Sequence, residues 1–425
     1  MLDMKLLRSH PNEIEKKLQT KDPDISFSFL LSLDQNVRKL KQEVEELKAK
    51  RNHLSKQVGE LKSQKKDASS VIEEVHSFGN KLHTLEESLK QEEEKLQHIL
   101  DVLPNLPDES IKVSLNPKDN VCIKSVGEKP HFTFPAKNHV ELNESLHLFD
   151  FARGAKISGS GWPVYRGMGA RLEWALLNYM IDIHIKNGFE QWMVPHLVRP
   201  DMMYGAAQLP KFKDQLFKLH DKDYDLYLIP TSEVALNALH YDEILPMEEL
   251  PKKYVSYTPC FRREAGAAGS QERGLIRVHQ FNKVEMFCFA LPEESDTLFE
   301  KMVASAEEIL QGLELHYRNM LLVTGDMSFA AAKTLDVEVY LPGQERYYEV
   351  SSISNCRDFQ ARRSKIRYRA EDGHLHFVHT LNGSGLATSR LMVALLENNQ
   401  QADGSVILPK ALHKYLGSIH ILKPR

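Results

Sequence analysis

The chain has 425 residues, of which 42% are hydrophobic and 27% are charged, and its formal net charge is −4. A chain of this length buries a sizeable core and is expected to form two or three domains. The small negative charge argues against binding of polyanions by the whole surface, so a nucleic acid would have to meet a local basic region.

Cysteine usage and the N-terminal sequence bear on the compartment. The four cysteines lie far apart and include no CxxC pair, which argues against a zinc ribbon and against a disulfide framework. The first residues lack the apolar core of a signal peptide, and no run of about 18 apolar residues occurs. We therefore predict a reduced, soluble, cytoplasmic protein without a membrane segment and without zinc.

Two stretches near the N-terminus repeat apolar residues at alternating intervals of three and four, which predicts coiled-coil helices. The polar sequence KSQKKDASS at 62–70 separates the stretches, and Pro104 ends the second one. We predict an antiparallel helical hairpin over residues 33–103. The apolar positions are Val37, Leu40, Val44, Leu47, Leu54, Val58 and Leu61, then Val75, Phe78, Leu82, Leu85, Leu89, Leu96, Ile99 and Leu103.

Charge is divided unevenly between the two predicted helices. Residues 34–66 contain ten Lys and Arg against five acids, whereas 67–101 contain three Lys against nine acids. The helices can therefore pair electrostatically, and the first helix can offer a basic edge to a partner. The same charges would also suit the solvated face of a dimerisation coil, and the pattern leaves both interpretations open.

A predicted β-hairpin carries a group of arginines. Its arms, 255–261 and 275–289, are rich in aromatic and β-branched residues, and glycines punctuate the loop at 264–274, whose tip we expect to be mobile. Arg presents a fixed fork of donors that grips phosphate or carboxylate at two points. The pattern favours an anion site over an exposed hairpin with solvated salt bridges. The arginines are Arg262, Arg263, Arg273 and Arg277.

Further elements follow in an order that does not alternate between helix and strand. Thr231 precedes an amphipathic helix and could be a simple N-cap, while His184 lies on an apolar helix face that is typical of the core. No Walker or Rossmann glycine loop occurs. We predict an α+β fold with a mostly antiparallel sheet. Predicted helices cover 169–187, 293–320 and 386–398, and predicted strands include 191–198, 337–341, 346–351 and 379–382.

Three stretches resemble motifs 1, 2 and 3 of the class II aminoacyl-tRNA synthetases. They are the helix and strand around Pro195, FRRE at 261–264 and GSGLATSR at 383–390. Together with the N-terminal hairpin, TSE at 231–233 and HTLNGSGLA at 379–387, they make the whole chain similar to the bacterial-type seryl-tRNA synthetases.

This resemblance implies an activity and its partners. Serine would attack the α-phosphate of ATP, and the 3′-terminal ribose of tRNA would then accept the seryl group. The implied partners are ATP with Mg²⁺, L-serine, serine tRNA with its long variable arm, selenocysteine tRNA as a further substrate, and a second copy of the chain. Residues 1–110 would form the tRNA-binding arm and 111–425 the catalytic and dimerisation domain. A paralogue that loads a carrier protein and a non-catalytic RNA-binding scaffold are the alternatives.

The resemblance also implies residues that bind ATP. Arg262 would bridge the serine carboxylate and the α-phosphate, Glu264 would contact the adenine amino group, and Arg390 would pack on the adenine. These three are the implied catalytic residues. Glu349 and Ser352 would hold Mg²⁺, as oxygen donors suit a hard ion. The remaining implied ATP ligands are Arg263, Arg277, Val278, Phe281, Val350 and Ser351.

Serine and tRNA would meet two further sets of residues. A buried carboxylate such as Glu285 rewards a substrate that donates hydrogen bonds, so the site is expected to reject alanine by about 10⁴–10⁵-fold and threonine by size alone. The implied serine-binding residues are Thr231, Ser232, Glu233, Arg262, Glu285, Asn382 and Ser384. The implied tRNA-binding residues are Arg38, Lys41, Lys48, Arg51, Lys62, Lys65 and Lys66.

Overall fold

The structure is a computed structural model that describes residues 1–265 and 273–425. The described residues form two compact units, Leu2–Leu103 and Pro104–Arg425, the second of which includes Met1. The predicted mobile tip of the arginine hairpin falls largely on residues 266–272, which lie outside the described residues.

The first unit is helical. Asp3 caps the first helix by accepting a hydrogen bond from the backbone N–H of Lys5, and Pro11 starts the second helix, where its missing N–H costs nothing. The helices are α1 (Met4–Ser9), α2 (Pro11–Gln19), α3 (Ser28–Ser63) and α4 (Ser69–Asp101).

Helices α3 and α4 form the predicted antiparallel hairpin. Lys41 pairs with Glu93 over 2.6 Å and Lys48 pairs with Glu86 over 2.7 Å, so the basic helix and the acidic helix attract each other as expected. Helix α3 starts at Ser28, ahead of the predicted start, because the apolar repeat continues backwards through buried leucines. The buried residues of the pair include Leu30, Leu33, Val37, Val44, Leu82 and Leu96.

The second unit is built on a sheet. Within the described residues, eight strands lie in the order β1-β10-β11-β12-β15-β9-β8-β4, and neighbours are antiparallel except for β4 beside β8. The predicted α+β class is confirmed. The strands are β1 (Val121–Val126), β2 (Phe149–Asp150), β3 (Val164–Tyr165), β4 (Glu190–Trp192), β5 (Leu197–Val198), β6 (Tyr227–Leu228), β7 (Ile244–Leu245), β8 (Lys252–Phe261), β9 (Gln280–Ala290), β10 (Tyr317–Leu321), β11 (Lys333–Leu341), β12 (Arg346–Asn355), β13 (Arg367–Arg369), β14 (Leu375–Phe377), β15 (His379–Ala387), β16 (Val406–Ile407) and β17 (Ile421–Leu422).

Helices cover this sheet and bury its core. The largest apolar cluster joins α7, α10 and α12 to the central strands. No helix in the described part of the chain is both long enough and apolar enough to cross a membrane. The helices of this unit are α5 (His139–Leu146), α6 (Phe151–Ser158), α7 (Met168–Lys186), α8 (Pro200–Gly205), α9 (Glu233–Ala238), α10 (Ser295–Gly312), α11 (Phe359–Ser364), α12 (Thr388–Asn398) and α13 (Lys410–Leu416).

The predicted helix over 293–320 is wrong in its second half. Helix α10 ends at Gly312, and Tyr317–Leu321 is strand β10, paired on both sides. Tyr317, Asn319 and Met320 are buried while Arg318 and Leu321 are half-buried, so burial alternates only in the first part of the strand. The apolar residues around 313–320 fit either period, and pairing with β1 and β11 decides between them.

The glycine stretch before α12 belongs to strand β15. The strand continues to Ala387, so α12 starts two residues later than predicted. A Cβ at Gly383 would meet the side chain of Ile353, and one at Gly385 would collide with the ring of His184. These glycines let β15 approach β12 and α7 closely. His184 is a core residue, as expected, and burial lowers its pKa to about 4.

Candidate active site

Adjoining cavities open over the face formed by β9, β12 and β15, beside Arg262, which follows β8. The larger has a volume of about 510 Å³ and reaches the residues after α8 and the start of α9, and the smaller lies towards α12. Residues that line both cavities mark the boundary between them. They are Arg262, Glu264, Arg277, Lys283, Glu349 and Ser384.

Hydrogen bonds hold two acidic side chains in the larger cavity. Oγ1 of Thr231 donates to Oε2 of Glu285 over 2.9 Å and accepts from the backbone N–H of Glu233 over 3.2 Å. Nδ2 of Asn382 and Nε2 of Gln360 both donate to Oε1 of Glu233, over 3.0 and 2.5 Å. One network therefore places both carboxyl groups in the cavity.

The sheet registers explain why these side chains share one face. Side chains alternate along a strand, so Phe281, Lys283 and Glu285 of β9 lie on the same side. Ser384 of β15 stands opposite Glu285 of β9, and Asn382, two residues before Ser384, lies on the same face. The alternation of side chains along β9 and β15 thus places these polar groups together at the floor of the cavity.

Burial and neighbouring charges perturb the ionisation of Glu233. Burial raises the pKa of Glu233 to about 7, and the nearby charge of Glu285 adds to this rise. The hydrogen bond from Gln360 and the positive charges of Lys283 and Arg262 oppose it. Lys283 forms an ion pair with Glu285 in which both side chains are almost completely buried. Such an acid pair suits a ligand that brings its own positive charge.

The smaller cavity is lined by arginines and an aromatic ring. The guanidinium of Arg262 lies over the ring of Phe281, 5.1 Å from its centroid, while its Nε donates to the carbonyl of Pro230 over 3.3 Å. Nη1 of Arg277 donates to Oε2 of Glu264 over 2.7 Å. These groups present cationic and aromatic surface, as a nucleotide requires.

Arg390 ties helix α12 to strand β12 beside this cavity. Its Nη1 donates to the carbonyl oxygen of Glu349 over 2.8 Å and lies 3.5 Å from Oε2 of the same residue. Nε of Arg390 donates to the carbonyl of Ile276 over 3.3 Å. The guanidinium is therefore held against the cavity wall, beside a carboxylate.

A further acid lies next to Glu349. Asp336 of β11 stands opposite Ser352 of β12, and its Oδ1 is buried without a hydrogen-bond partner among the described residues. Burial and the charge of Glu349 raise the pKa of Asp336 well above its ordinary value. A buried carboxylate oxygen with no donor is costly, and a bound cation would satisfy it.

Three of the implied ligands lie away from the cavity space. Arg263 lines a separate surface cavity with Lys213 and Phe217. Ser232 is fully buried, with its Oγ 2.6 Å from Oγ1 of Thr258. The Oγ of Ser351 donates to the carbonyl of Ser384 over 2.5 Å, beneath the cavity floor. Direct contact between ligand and these side chains stays a prediction.

The other implied ligands line the cavities, and the structure adds residues that the sequence reasoning missed. Lys283 lies two residues before Glu285, so strand alternation alone was a signal for it. Gln360 lies in a polar, basic stretch, and nothing in the sequence pointed to its bond with Glu233. The implied residues that line the cavities are Thr231, Glu233, Arg262, Glu264, Arg277, Val278, Phe281, Glu285, Glu349, Val350, Ser352, Asn382, Ser384 and Arg390.

The implied tRNA-binding cations of the helical hairpin differ in their surroundings. Arg38 pairs with Asp34 over 3.1 Å, while Lys41 and Lys48 pair with acids of α4. Arg51 is half-buried on α3. The lysines at the tip are all exposed, which leaves their ammonium groups accessible to solvent. They are Lys62, Lys65 and Lys66.

Comparison with known proteins decides the family. The sequence model of the seryl-tRNA synthetase N-terminal domain matches residues 1–107, and that of the tRNA synthetase class II core domain (G, H, P, S and T) matches residues 216–399. The serine–tRNA ligase of Chlamydia caviae is 53% identical over 425 residues, which cover 100% of both chains. The chain belongs to the seryl-tRNA synthetase family.

Solved seryl-tRNA synthetases share this fold. The enzyme of Pyrococcus horikoshii, solved in complex with ATP, is 36% identical, has a TM-score of 0.92 and is covered over 100% of both chains. The cytoplasmic serine–tRNA ligase of Naegleria fowleri, in complex with AMP, is 28% identical with a TM-score of 0.87, covering 100% of this chain and 99% of that one. The predicted family and fold are confirmed, and the protein is a class II aminoacyl-tRNA ligase.

Proposed function

We propose that the protein activates L-serine with ATP and transfers it to serine tRNA. A carboxylate oxygen of serine attacks the α-phosphorus, the bond to the β-phosphate oxygen breaks, and pyrophosphate leaves. The 3′-terminal ribose hydroxyl of the tRNA then attacks the seryl carbonyl and releases AMP. The observation that carries this proposal is the acid pair Glu233 and Glu285 in a cavity that Arg262 connects to a cationic, aromatic one.

Arg262 is the group we assign to the attack on phosphorus. It lines both cavities, so its guanidinium can face the serine carboxylate and the α-phosphate together. Two anions repel each other as they approach, and a fixed cation between them lowers this repulsion most in the transition state. Holding both reactants in line contributes the rest, because the step needs no covalent work by the enzyme.

The nucleotide would occupy the smaller cavity. Phe281 and Arg390 offer flat surfaces for the adenine, and Glu264 offers an acceptor for its amino group. Arg277 is placed to exchange its bond with Glu264 for a terminal phosphate. Val278 and Val350 would supply apolar and backbone contacts along the same wall.

Serine would occupy the larger cavity. Its ammonium and hydroxyl groups would face Thr231, Glu233 and Glu285, and Asn382 and Ser384 would close the pocket around them. Polar groups left unpaired by alanine explain the expected rejection of that amino acid by about 10⁴–10⁵-fold. Threonine would be excluded by its additional methyl group, for which discrimination is only about 1–3 kcal/mol.

Magnesium fits the residues beside Glu349. Glu349 and Ser352 are hard oxygen donors, and the buried Oδ1 of Asp336, which has no partner among the described residues, lies opposite Ser352. We propose that Glu349 and Ser352 hold the ion and that Asp336 supports it. When bound, the ion would supply neutralisation of phosphate charge, while Arg390 keeps Glu349 in place through its bond to the Glu349 carbonyl.

The helical hairpin is our proposed tRNA-binding arm. We assign residues 1–110 to tRNA binding and 111–425 to catalysis and dimerisation. The exposed lysines at the tip, Lys62, Lys65 and Lys66, would contact phosphates of the long variable arm, so recognition would depend on shape and on salt. Selenocysteine tRNA, if it presents the same arm, would be a second substrate.

We propose that the chain acts as a cytoplasmic homodimer. Trp174 on α7 is 57% exposed and Met193 after β4 is 92% exposed, and both lie in the region that resembles motif 1. Exposed large apolar side chains in such a region support a subunit interface. Met193→Asp is expected to shift the mass measured by light scattering from dimer to monomer. Ile407→Asp, at another exposed apolar residue, is the control.

Charging of unfractionated tRNA with radiolabelled serine tests the proposal. The expected result is that label enters serine tRNA and, where it is present, selenocysteine tRNA. Label on a carrier protein but not on tRNA would point to the paralogue alternative. Binding of tRNA without any charging would point to the scaffold alternative.

A further inference from the structure

Lys283 is a buried cation on the boundary between the two cavities. Its side chain is 7% exposed and lines both of them, and it forms an ion pair with Oε2 of Glu285. The same oxygen accepts the hydrogen bond from Thr231. A buried ammonium group is costly unless it is paired, so Lys283 must keep an anionic partner in any arrangement of the site.

Charged groups of both signs surround Lys283. The larger cavity is lined by the acids Glu233, Glu264, Glu285 and Glu349 and by the cations Arg262, Arg277 and Lys283. Serine adds an ammonium group and a carboxylate, and ATP adds several negative charges to the neighbouring cavity. The ammonium group of serine is attracted to Glu285, with which Lys283 already forms an ion pair. Two ammonium groups at one carboxylate repel each other.

The ammonium group of Lys283 could also occupy a position in the smaller cavity. Its long, flexible stem lines the smaller cavity beside Arg262 and Phe281, where we place the phosphates. Movement of the ammonium group from Glu285 towards the α-phosphate would exchange one anionic partner for another without leaving the charge unpaired. It would also bring a second cation to the phosphorus that serine attacks.

We propose that Lys283 is a mobile cation that couples the two subsites. Serine takes over Glu285, and the displaced ammonium group of Lys283 moves to the α-phosphate. The inference rests on the proposed placement of serine and ATP. Because coupling is reciprocal, serine must tighten ATP binding by the same factor by which ATP tightens serine binding.

Calorimetric titration tests this without catalysis. The non-reactive α,β-methylene analogue of ATP is titrated into the protein with and without saturating serine. In the wild-type protein, serine is expected to lower the dissociation constant of the analogue by about 5–150-fold, the usual range of coupling. In Lys283→Met this factor is expected to fall to about 1, and Lys301→Met, at an exposed lysine of α10, is expected to keep it.

A second variant tests the inference if Lys283→Met does not fold. Lys283→Arg keeps the charge, but its fork grips Glu285 at two points and resists displacement. Serine is then expected to bind more weakly, and coupling is expected to shrink. Unchanged coupling in either folded variant, or no coupling in the wild-type protein, would overturn the inference. Failure of the wild-type protein to bind serine or the analogue at all would instead overturn the proposed function, and the inference with it.

Discussion

Oγ1 of Thr231 donates a hydrogen bond to Oε2 of Glu285 over 2.9 Å, which joins the residue pair before helix α9 to the middle of strand β9. The two residues are 54 positions apart in the sequence. Glu285 is 2% exposed, so its carboxylate is fixed by this bond and by Lys283 rather than by water. A carboxylate held in this way can read the hydrogen-bond donors of a small substrate.

Glu285→Gln is expected to weaken selection of serine over alanine. The wild-type ratio should be about 10⁴ or more, and replacing the charged acceptor should reduce it at least tenfold, mostly by slowing the reaction of serine. The ratio is measured as kcat/KM in pyrophosphate exchange with each amino acid. Glu371→Gln, at an exposed acid, should leave it unchanged. An unaltered ratio in Glu285→Gln would show that Glu285 does not contribute to the selection of serine over alanine.

Serine activation is expected to depend on the ionisation of Glu233. Burial and Glu285 raise the pKa of Glu233 to about 7, so this group is protonated below that pH and cannot offer full charge to the ammonium group of serine. The kcat/KM for serine should therefore rise with pH through about 7. Glu233→Gln should activate serine poorly and should lack this rise. In the wild-type protein, a kcat/KM for serine that stays constant between about pH 6 and 8, on either side of this pKa, would contradict the proposed role of Glu233.

The same pKa shift has a consequence for stability. The folded pKa of Glu233 lies above the ordinary value of 4.5 because of burial, so the folded state binds more protons between pH 4.5 and about 7. Stability from this group is thus lost as the pH rises through that window. Glu233→Gln, which is neutral throughout, should flatten this part of the stability curve in urea unfolding.

Neighbouring arginines are expected to differ sharply. Arg262→Ala should lower kcat for pyrophosphate exchange by about 10²–10³-fold or more, because Arg262 lines both cavities and is the group we propose to face both reactants. Arg263→Ala should have a much smaller effect, since its side chain lines a separate cavity with Lys213 and Phe217. Equal losses in both variants would show that Arg263 reaches the nucleotide and that its position in the structure is not the functional one.

The exposed tip of the hairpin is expected to matter for tRNA alone. Charge reversal of Lys62, Lys65 and Lys66 to Glu should raise the KM for tRNA and flatten the salt dependence of binding, by about 0.7–0.9 in logarithmic slope for each phosphate that is no longer neutralised. Serine-dependent exchange should stay unchanged. Lys90→Glu, at an exposed lysine of α4, is the control. An unchanged KM for tRNA would assign the tip no part in binding.

The elements of this fold differ in how far the sequence predicts them. Heptad spacing predicted α3 and α4, and strand patterning predicted β8 and β9, because each pattern is local and repeats several times. Strand β10 was missed because Tyr317–Leu321 is short and lies close to the end of helix α10, so that only its partners β1 and β11 define it. Gly385 looked like a helix junction, and its real constraint is the His184 ring of α7.

The candidate site shows the same division. Resemblance to known motifs named residues that line the cavities, such as Arg262, Glu285 and Arg390. It could not distinguish a side chain that faces the cavity from one that lies beneath its floor, as Ser351 does. The partners Lys283 and Gln360 were missed because their roles depend on which carboxylates they meet across the fold.

Pyrophosphate exchange with each of the twenty amino acids, in the absence of tRNA, tests the central claim most directly. The account predicts exchange with serine alone, lost in Arg262→Ala and kept when residues 34–100 are removed, although that deletion should abolish charging of tRNA. Exchange with a different amino acid, or with none, would contradict the assignment of the acid pair Glu233 and Glu285 to serine.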